Sequence, residues 1–509
     1  MGGNYEKILY KDYMELYLRY SQLSDEHKQI VDENKYLKHL AELNNKLIES
    51  LKNKNNDLLE EVARLQSKLN KDGTNSNIPT SQTPINKKKV IPNSRKKSNK
   101  KRGGQPGHTK NKLEAFEENE VTQVIDVSEE ICPHCGGKLD PTDEVVTKDE
   151  FEYELVVMKK RYRYHMCKCS KCNATVKTPI PKKHKEENQY GSNVKALCLT
   201  LANIGNVPIN KIKRIVYGLS ANEMDLSEGY ISKLQKVAAK ELEPFIQELR
   251  EYCMSLPLLH WDDTVINIDV NRGCLRFYGD KNVALYTAHS HKNKAGLDED
   301  GILSTLPEST IVVHDHNKVN YNQEYDFMNA ECNAHLLRDL QNMQQISQHT
   351  WCKKMTKLLT DTNQIRKKAI ESGKESFTDE ETKVFFDTYN EILIEASEEQ
   401  KADCSRYYGK DEQNLILRLM EYKDNYCMWV VNFDVPFTNN ISERSLRGAK
   451  SKQKISGQFQ SLQYAQCYAN IRSYIETCRR NGLNETIALQ LLSSGTPLTL
   501  KQILNSDVD

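Results

Sequence analysis

Three acidic side chains far apart in the sequence carry the chemistry this chain suggests. Asp262 lies in LLHWDDTVINID, Asp315 in STIVVHDHN, and Glu443 in NNISERSLRGAKSK. The first two follow apolar β-type runs, Leu256–Leu259 and Ile311–Val313, and the third opens a basic helical stretch. Three carboxylates brought together can hold a pair of divalent ions about 3.5–4 Å apart, an arrangement that cuts and joins phosphodiesters. Glu443, Arg447 and Lys450 stand at i, i+4 and i+7, so a helix shows them on one face. A metal-binding carboxylate flanked by two cations suits a phosphate backbone lying across the metals. Taken alone, the same spacing describes an ordinary surface helix with Glu–Arg pairs.

A second set of metal-ligating types is Cys132-Pro-His-Cys135 and Cys169-Ser-Lys-Cys172. Two C-x-x-C pairs can close a tetrahedral Zn²⁺, and four thiolates leave no open position for catalysis. The stretch between them, with FEYELVVMKKRYRYHMC, reads as strand-rich, as in a zinc ribbon. Cys167 and His134 are expected to be bystanders. Cys332 and His335, three apart in NAECNAHLLRDLQ, share a helix face, and a packing or hydrogen-bonding role suits them better than a metal site of their own.

The elements that must position these groups follow from pattern. Residues 250–325 read as four strands, SLPLLHWDD, GCLRFYGD, KNVALYTAHS and STIVVHD, with HKNKAGLDEDGILSTL helical before the last. That is an α/β layer with both acids at strand ends, where open sheets bind ligands. Asp263 and Asp269 are nearby rivals to Asp262. Residues of about 330–430 are polar and helical. Residues 188–245 read as helices: YGSNVKALCLTLANIG, then Ile209–Tyr217, then a helix capped by Ser227. In the last, Ile231, Leu234 and Ala238 form the apolar face, leaving Glu228, Ser232, Lys233 and Lys236 outward. A short helix, a turn and a capped helix with exposed Lys is the helix-turn-helix pattern.

The N-terminal 70 residues contain no Pro, and Leu37, Asn44, Leu51, Leu58 and Leu65 recur every seven residues with Leu40 and Leu47 in the partner positions. This predicts a coiled-coil seam that pairs two chains, with Lys54 and Glu61 on weaker positions; a long surface helix packed on its own chain is the alternative. Residues 71–115 read as a disordered linker. Within it, Lys87 to Lys112 hold eleven Lys/Arg and no acid, although the net charge of the 509-residue chain is only +1. Basic residues at this density, Lys100, Lys101 and Arg102 among them, are fit to bind nucleic-acid phosphate without reading sequence. No apolar run approaches membrane-span length and the N-terminus is not a signal peptide, which predicts a cytoplasmic protein. Fourteen Cys then read as reduced thiols plus one metal site.

In order, NSNIPTSQ, GGQPGH, CPHCGG…CSKC, YGSNVKA…YISKLQ, HWDDT, VVHD, CNAHLLRD, NNISERSLRGAKSKQK and YIETCRRNGLNETIALQLL resemble the bacterial insertion-sequence-66 family of transposases over nearly the whole chain. The resemblance implies a multidomain α+β protein. Its parts would be a coiled coil (1–70), a basic linker (71–115), a zinc ribbon (116–185), a helix-turn-helix region (186–247), an RNase H-like catalytic core (248–483, with a helical insertion at about 330–430) and a tail element (484–509). It implies that Asp262, Asp315 and Glu443 bind Mg²⁺ (or Mn²⁺) as a DDE triad, and that Lys450 holds DNA near the cut. It also implies Mg²⁺-dependent strand cleavage and transfer at the element's ends, with double-stranded DNA, a second subunit and accessory proteins of the same element as partners. The family pattern has Asp-Glu-Thr where this chain has Asp262-Asp263-Thr264, and Arg-Lys-Asn where it has QKISGQF. A DNA-binding regulator without catalysis, and a nuclease that cuts without joining, share many of these features.

Overall fold

A computed structural model describes residues 3–71, 115–142, 144–153, 155–181, 184 and 186–505. The basic linker with Lys100, Lys101 and Arg102 lies outside the described residues. In chain order the helices and strands are α1 (Gly3–Leu69), β1 (Met166–Lys168), β2 (Thr175–Lys177), α2 (Ser192–Asn203), α3 (Ile209–Leu219), α4 (Glu228–Glu241), α5 (Glu243–Met254), β3 (Leu258–Ile268), β4 (Asn271–Gly279), β5 (Ala284–His289), α6 (Lys294–Asp300), β6 (Ile311–His314), β7 (Met328–Glu331), α7 (Asn333–Ser347), α8 (Trp351–Glu371), α9 (Asp379–Ala402), α10 (Gly409–Glu421), α11 (Lys423–Val431), α12 (Asn440–Ser456), α13 (Leu462–Arg480), α14 (Glu485–Ser493) and α15 (Leu500–Leu504). They fall into two compact units, a helical one of residues 3–71 and 335–424 and a sheet unit of residues 115–334 and 425–505. No described helix is long and apolar enough to cross a membrane.

The helical unit is made of α1, most of α7, and α8 to α10. Along α1 the heptad leucines are exposed: Leu37, Leu40, Leu47, Leu51, Leu58 and Leu65. The α8–α10 core is Trp351, Leu359, Tyr389, Ile392 and Leu419. A fully buried Glu412 accepts from Trp351 Nε1 and pairs with His349 Nδ1, both at 2.7 Å. Helix α9 starts with a capping box between Thr378 and Glu381, which satisfies amides a helix start otherwise leaves open.

The sheet unit is built on five strands in the order β5-β4-β3-β6-β7. The first three are antiparallel hairpin neighbours, while β3, β6 and β7 run parallel. Strand β3 continues past the two acids to Ile268, because Ile266 and Ile268 alternate inward with Thr264. Those residues, with Phe277 and Tyr286, pack against Leu446 and Ala449 of α12 and Tyr468 of α13. The other face joins a second core: Trp261, Tyr278 and Leu285 with Phe245 and Leu249 of α5 and Leu297 of α6. The same core takes in α2, α3, α4 and α14, so the helices of the predicted DNA-binding region share their interior with the sheet. At the open edge, Ser473 and Thr477 of α13 receive the amides of Tyr286 and Ala284 on β5.

The predicted strand-rich ribbon differs. Among the described residues of 116–181, the three-residue strands β1 and β2 pair antiparallel around the Cys169–Cys172 turn, and a single antiparallel bridge joins Ile131 to Lys138 around the Cys132–Cys135 turn. Phe151, Tyr153 and Val156 are exposed, and an alternating stretch with no core to cover makes no sheet.

Candidate active site

Strand register brings the first two acids together. His260 of β3 pairs with Val313 of β6, so Asp262, still within β3, and Asp315, just past the end of β6, stand at one level of neighbouring parallel strands. β6 ends at His314, so β3 beyond this point pairs with β4 and, at Ile268, with Phe459. Asp262 lies opposite Phe277, on the sheet face that α12 covers, and its carboxylate accepts the Asp263 amide at 2.7 Å. Asp263 lies opposite Arg276, on the other face, and pairs with Lys292 Nζ at 2.6 Å.

The third acid comes from the first turn of α12. Ser442, Ser445, Leu446 and Ala449 are buried toward the sheet, Glu443 is half-buried, and Arg447 and Lys450 are exposed. The helix is strapped to β3 at both ends. At its start, Asn439 Nδ2 donates to the Trp261 carbonyl at 2.9 Å. Past its end, Gly457 turns the chain with φ 79°, and Phe459 exchanges hydrogen bonds of 2.9 Å with Asn267 and Asp269. The two straps run α12 along β3, with Glu443 in the turn that follows the Trp261 contact; among the described residues the ligand atoms of Asp262, Asp315 and Glu443 do not all gather within 4.8 Å.

The cations of α12 divide into two jobs. Burial, then the charge of Lys292, push the Lys450 amine down, while Asp262 and Asp263 pull it up, so Lys450 is close enough to feel both acids. Lys452 instead turns inward: it donates to the Ala202 carbonyl at 3.0 Å, lies over the Tyr468 ring, and burial brings its pKa down to about 8. Lys292, which the sequence reading missed, is the remaining cation here. Burial lowers its pKa, and Asp263, then Asp262, more than offset that. Its one sequence signal was position, in HSHKNK straight after a strand.

Cys332 is buried, and its sulfur and the Asp315 carboxylate have ligand atoms within 4.8 Å of each other. It precedes α7 rather than lying within it, and His335 follows three residues later in that helix.

The two C-x-x-C pairs form matching turns. The amide of each first cysteine donates to the carbonyl five residues on, Cys132 to Gly137 and Cys169 to Ala174, both at 2.8 Å. Gly136 and Asn173, each just after the second cysteine, have φ of 73° and 61°. Backbone amides of His134 and Cys135, and of Cys172 and Lys171, lower the Cys132 and Cys169 thiols. Such turns favour thiolates, the form that binds metal. Among the described residues the two pairs do not gather three ligand atoms within 4.8 Å.

On α4, Ser227 caps the helix through the Tyr230 amide, and Lys233 is exposed. Ser232 and Lys236, predicted to face outward, instead meet Tyr464 of α13: the two hydroxyls lie 2.5 Å apart, and the Lys236 amine sits 4.7 Å from the ring centre.

The family model described as Transposase IS66 family matches residues 187–467, over half of the chain. No curated protein matches it.

Proposed function

The chain belongs to the IS66 transposase family, and from that premise we propose that it cuts and joins DNA strands at Asp262, Asp315 and Glu443. The observation that carries the reading is the level register of Asp262 and Asp315 on adjacent parallel strands, under a helix pinned to the same strand with Glu443 in its first turn. Three carboxylates are hard oxygen donors and suit Mg²⁺ or Mn²⁺. A thiol and an imidazole suit a softer metal, so the reading rests on the carboxylates and not on Cys332 or His335. Bound divalent ions would supply Lewis-acid activation of the attacking hydroxyl and of the leaving oxygen.

The chain's own cations would hold the DNA. Exposed Arg447 and Lys450 follow Glu443 on one face of α12, and Lys292 approaches from the loop after β5. All three would neutralise phosphates beside the cut. Lys233 and Lys236 on α4, and Lys100, Lys101 and Arg102 in the linker, would hold the element's ends, with Lys236 giving up its ring contact to do so. Cys132, Cys135, Cys169 and Cys172 would share one structural Zn²⁺, supported by their matching turns. The exposed leucines of α1 would pair two chains so that two ends are held together. Accessory proteins of the same element would join that assembly.

The test is nicking and strand transfer on duplex DNA carrying the element's ends, comparing wild type with Glu443→Gln. Losing one metal ligand of several kcal/mol should slow cutting at least ~100-fold while end binding persists. Equal cutting by both proteins removes Glu443 from the site. End binding by wild type with no cutting favours a DNA-binding regulator.

A further inference from the structure

Four buried polar groups meet where α12 joins the sheet: Asn439, Ser442, His260 and Cys332, none more than 2% exposed. Asn439 is their centre. Its Nδ2 donates to the Trp261 carbonyl, and its Oδ1 pairs with His260 Nδ1 and accepts from Ser442 Oγ, each at 2.9 Å. Its backbone amide donates to Cys332 Sγ at 3.2 Å, and its carbonyl accepts the Glu443 amide at 3.3 Å. Asn439 stands at the position before α12, where an Asn side chain ordinarily bonds the first-turn amides. Here it makes no such bond. Its side chain is spent on β3 instead.

Between them the partners adjoin all three members of the proposed triad. Trp261 precedes Asp262, Ser442 precedes Glu443, and the Cys332 sulfur lies beside the Asp315 carboxylate. A second tie holds the same segments together, as the Asn333 amide donates to the Phe437 carbonyl at 3.1 Å. Only an amide side chain both donates to a carbonyl and accepts from two donors here: a carboxylate loses the donor, and an alkyl group loses all three bonds.

Building on the proposed transposase reading, we infer that Asn439 is the positioning residue that sets the spacing of the three carboxylates, with His260, Ser442 and the Cys332 sulfur as its fixed partners. It touches neither DNA nor metal. It acts by joining the strand that carries Asp262, the segment beside Asp315 and the helix that carries Glu443. The role given to Cys332 is that of a buried hydrogen-bond acceptor, which explains a thiol there without making it a ligand.

The experiment uses the full chain and two variants, Asn439→Ala and Ser442→Ala, with Glu443→Gln as the reference for a lost ligand. Mn²⁺ binding is followed by calorimetry, nicking of end-bearing duplex is followed against Mg²⁺ concentration, and end binding is measured in Ca²⁺. Loss of a group that orients metal ligands typically costs about 10- to 100-fold in metal affinity or activity. Asn439→Ala should shift Mn²⁺ affinity and the Mg²⁺ half-saturation by that order, with nicking recovering at high metal and end binding unchanged. Ser442→Ala, which removes one of the three side-chain bonds, should shift both in the same direction by less; it decides the matter if Asn439→Ala fails to fold. Wild-type metal dependence in the variants overturns the inference. So does a loss of nicking that no metal concentration relieves. If wild type binds Mn²⁺ through Glu443 but cuts nothing, the transposase reading fails by itself, and the Mn²⁺ affinities of the variants still decide the role of Asn439.

Discussion

Asp262 and Asp263 are neighbours of one charge type, and the fold gives them opposite tasks. Asp262 shares its sheet face with Ile266, Ile268 and α12, level with Asp315 across the β3–β6 pairing. Asp263 faces the other way and is bound to Lys292 at 2.6 Å, with the carboxylate 10% and the lysine 48% exposed. The perturbation is Asn at each position in turn, which keeps shape and an acceptor oxygen and removes the charge. For Asp263 the loss is one partly exposed ion pair, about 0.2–1 kcal/mol, so cutting should fall no more than ~5-fold. For Asp262 the loss is a metal ligand, worth several kcal/mol of transition-state charge stabilisation; taking ~4 kcal/mol, cutting falls ~1000-fold. The assay is single-turnover nicking of end-bearing duplex at saturating Mg²⁺, with end binding measured beside it. If Asp263→Asn abolishes nicking while Asp262→Asn keeps most of it, the face assignment is wrong and the site must be rebuilt around Asp263.

Behind the sheet, fully buried Arg276 pairs with buried Asp300 at 3.0 Å and also donates to the Gly296 and His291 carbonyls. Arg276→Ala leaves a buried carboxylate without its main cation and should lower stability by about 3–5 kcal/mol, read as a shift of the urea midpoint; an unchanged midpoint contradicts the buried-pair argument. In the helical unit, burial pulls the His349 pKa down, but hydrogen bonding and charge from Glu412, then Asp403 and Glu399, raise it above its ordinary value overall. A raised histidine contributes stability that is complete below about pH 6.5 and lost as pH climbs through the folded pKa. Amide exchange in α8 should therefore quicken more between pH 6 and 8.5 than intrinsic exchange does, and His349→Gln should remove that excess. Metal analysis of the purified chain should find about one zinc per chain, lost in Cys132→Ser and in Cys172→Ser; zinc retained in both variants rules out the four-cysteine site.

The apolar run before Asp315 marked a strand end, whereas β3 runs on past Asp262 to Ile268; the capped α4 and the helix that carries Glu443 were legible as local patterns. Other features needed a partner that sequence spacing does not show. β7 is only Met-Asn-Ala-Glu, with no apolar run, and is a strand because β6 lies beside it. The Phe151–Val156 stretch alternates as a strand should, yet Phe151, Tyr153 and Val156 stay exposed. Ser232 and Lys236 read as an outward pair because Tyr464, which draws both in, is more than two hundred residues away. Asn439 precedes α12, and its bonds to β3, 178 and 179 residues earlier, leave no mark in the local sequence. Lys452 counted as one more basic residue of α12, and only the fold sends it to the end of α2.

That last contact bears on how the proposed activity would be controlled. The carbonyls closing α2 are taken up by cations of the catalytic layer: Ala202 by Lys452 of α12, and Asn203 by Arg472 of α13. Positive charge at a helix C-terminus is favourable, and here it also joins two layers. Gly448 of α12 sits against the same Arg472 guanidinium, which a Cβ would meet at 3.3 Å. Asn203 is tied in turn to Gln235 of α4 at 3.1 Å. Gln235, Asn203, Arg472 and Gly448 thus form a chain of contacts, and α2, α4 and α13 share a core. On the transposase reading, DNA held at α4 would therefore be held at a fixed offset from α12. The distance from the sequence held at α4 to the cut would be set by the rigidity of this unit.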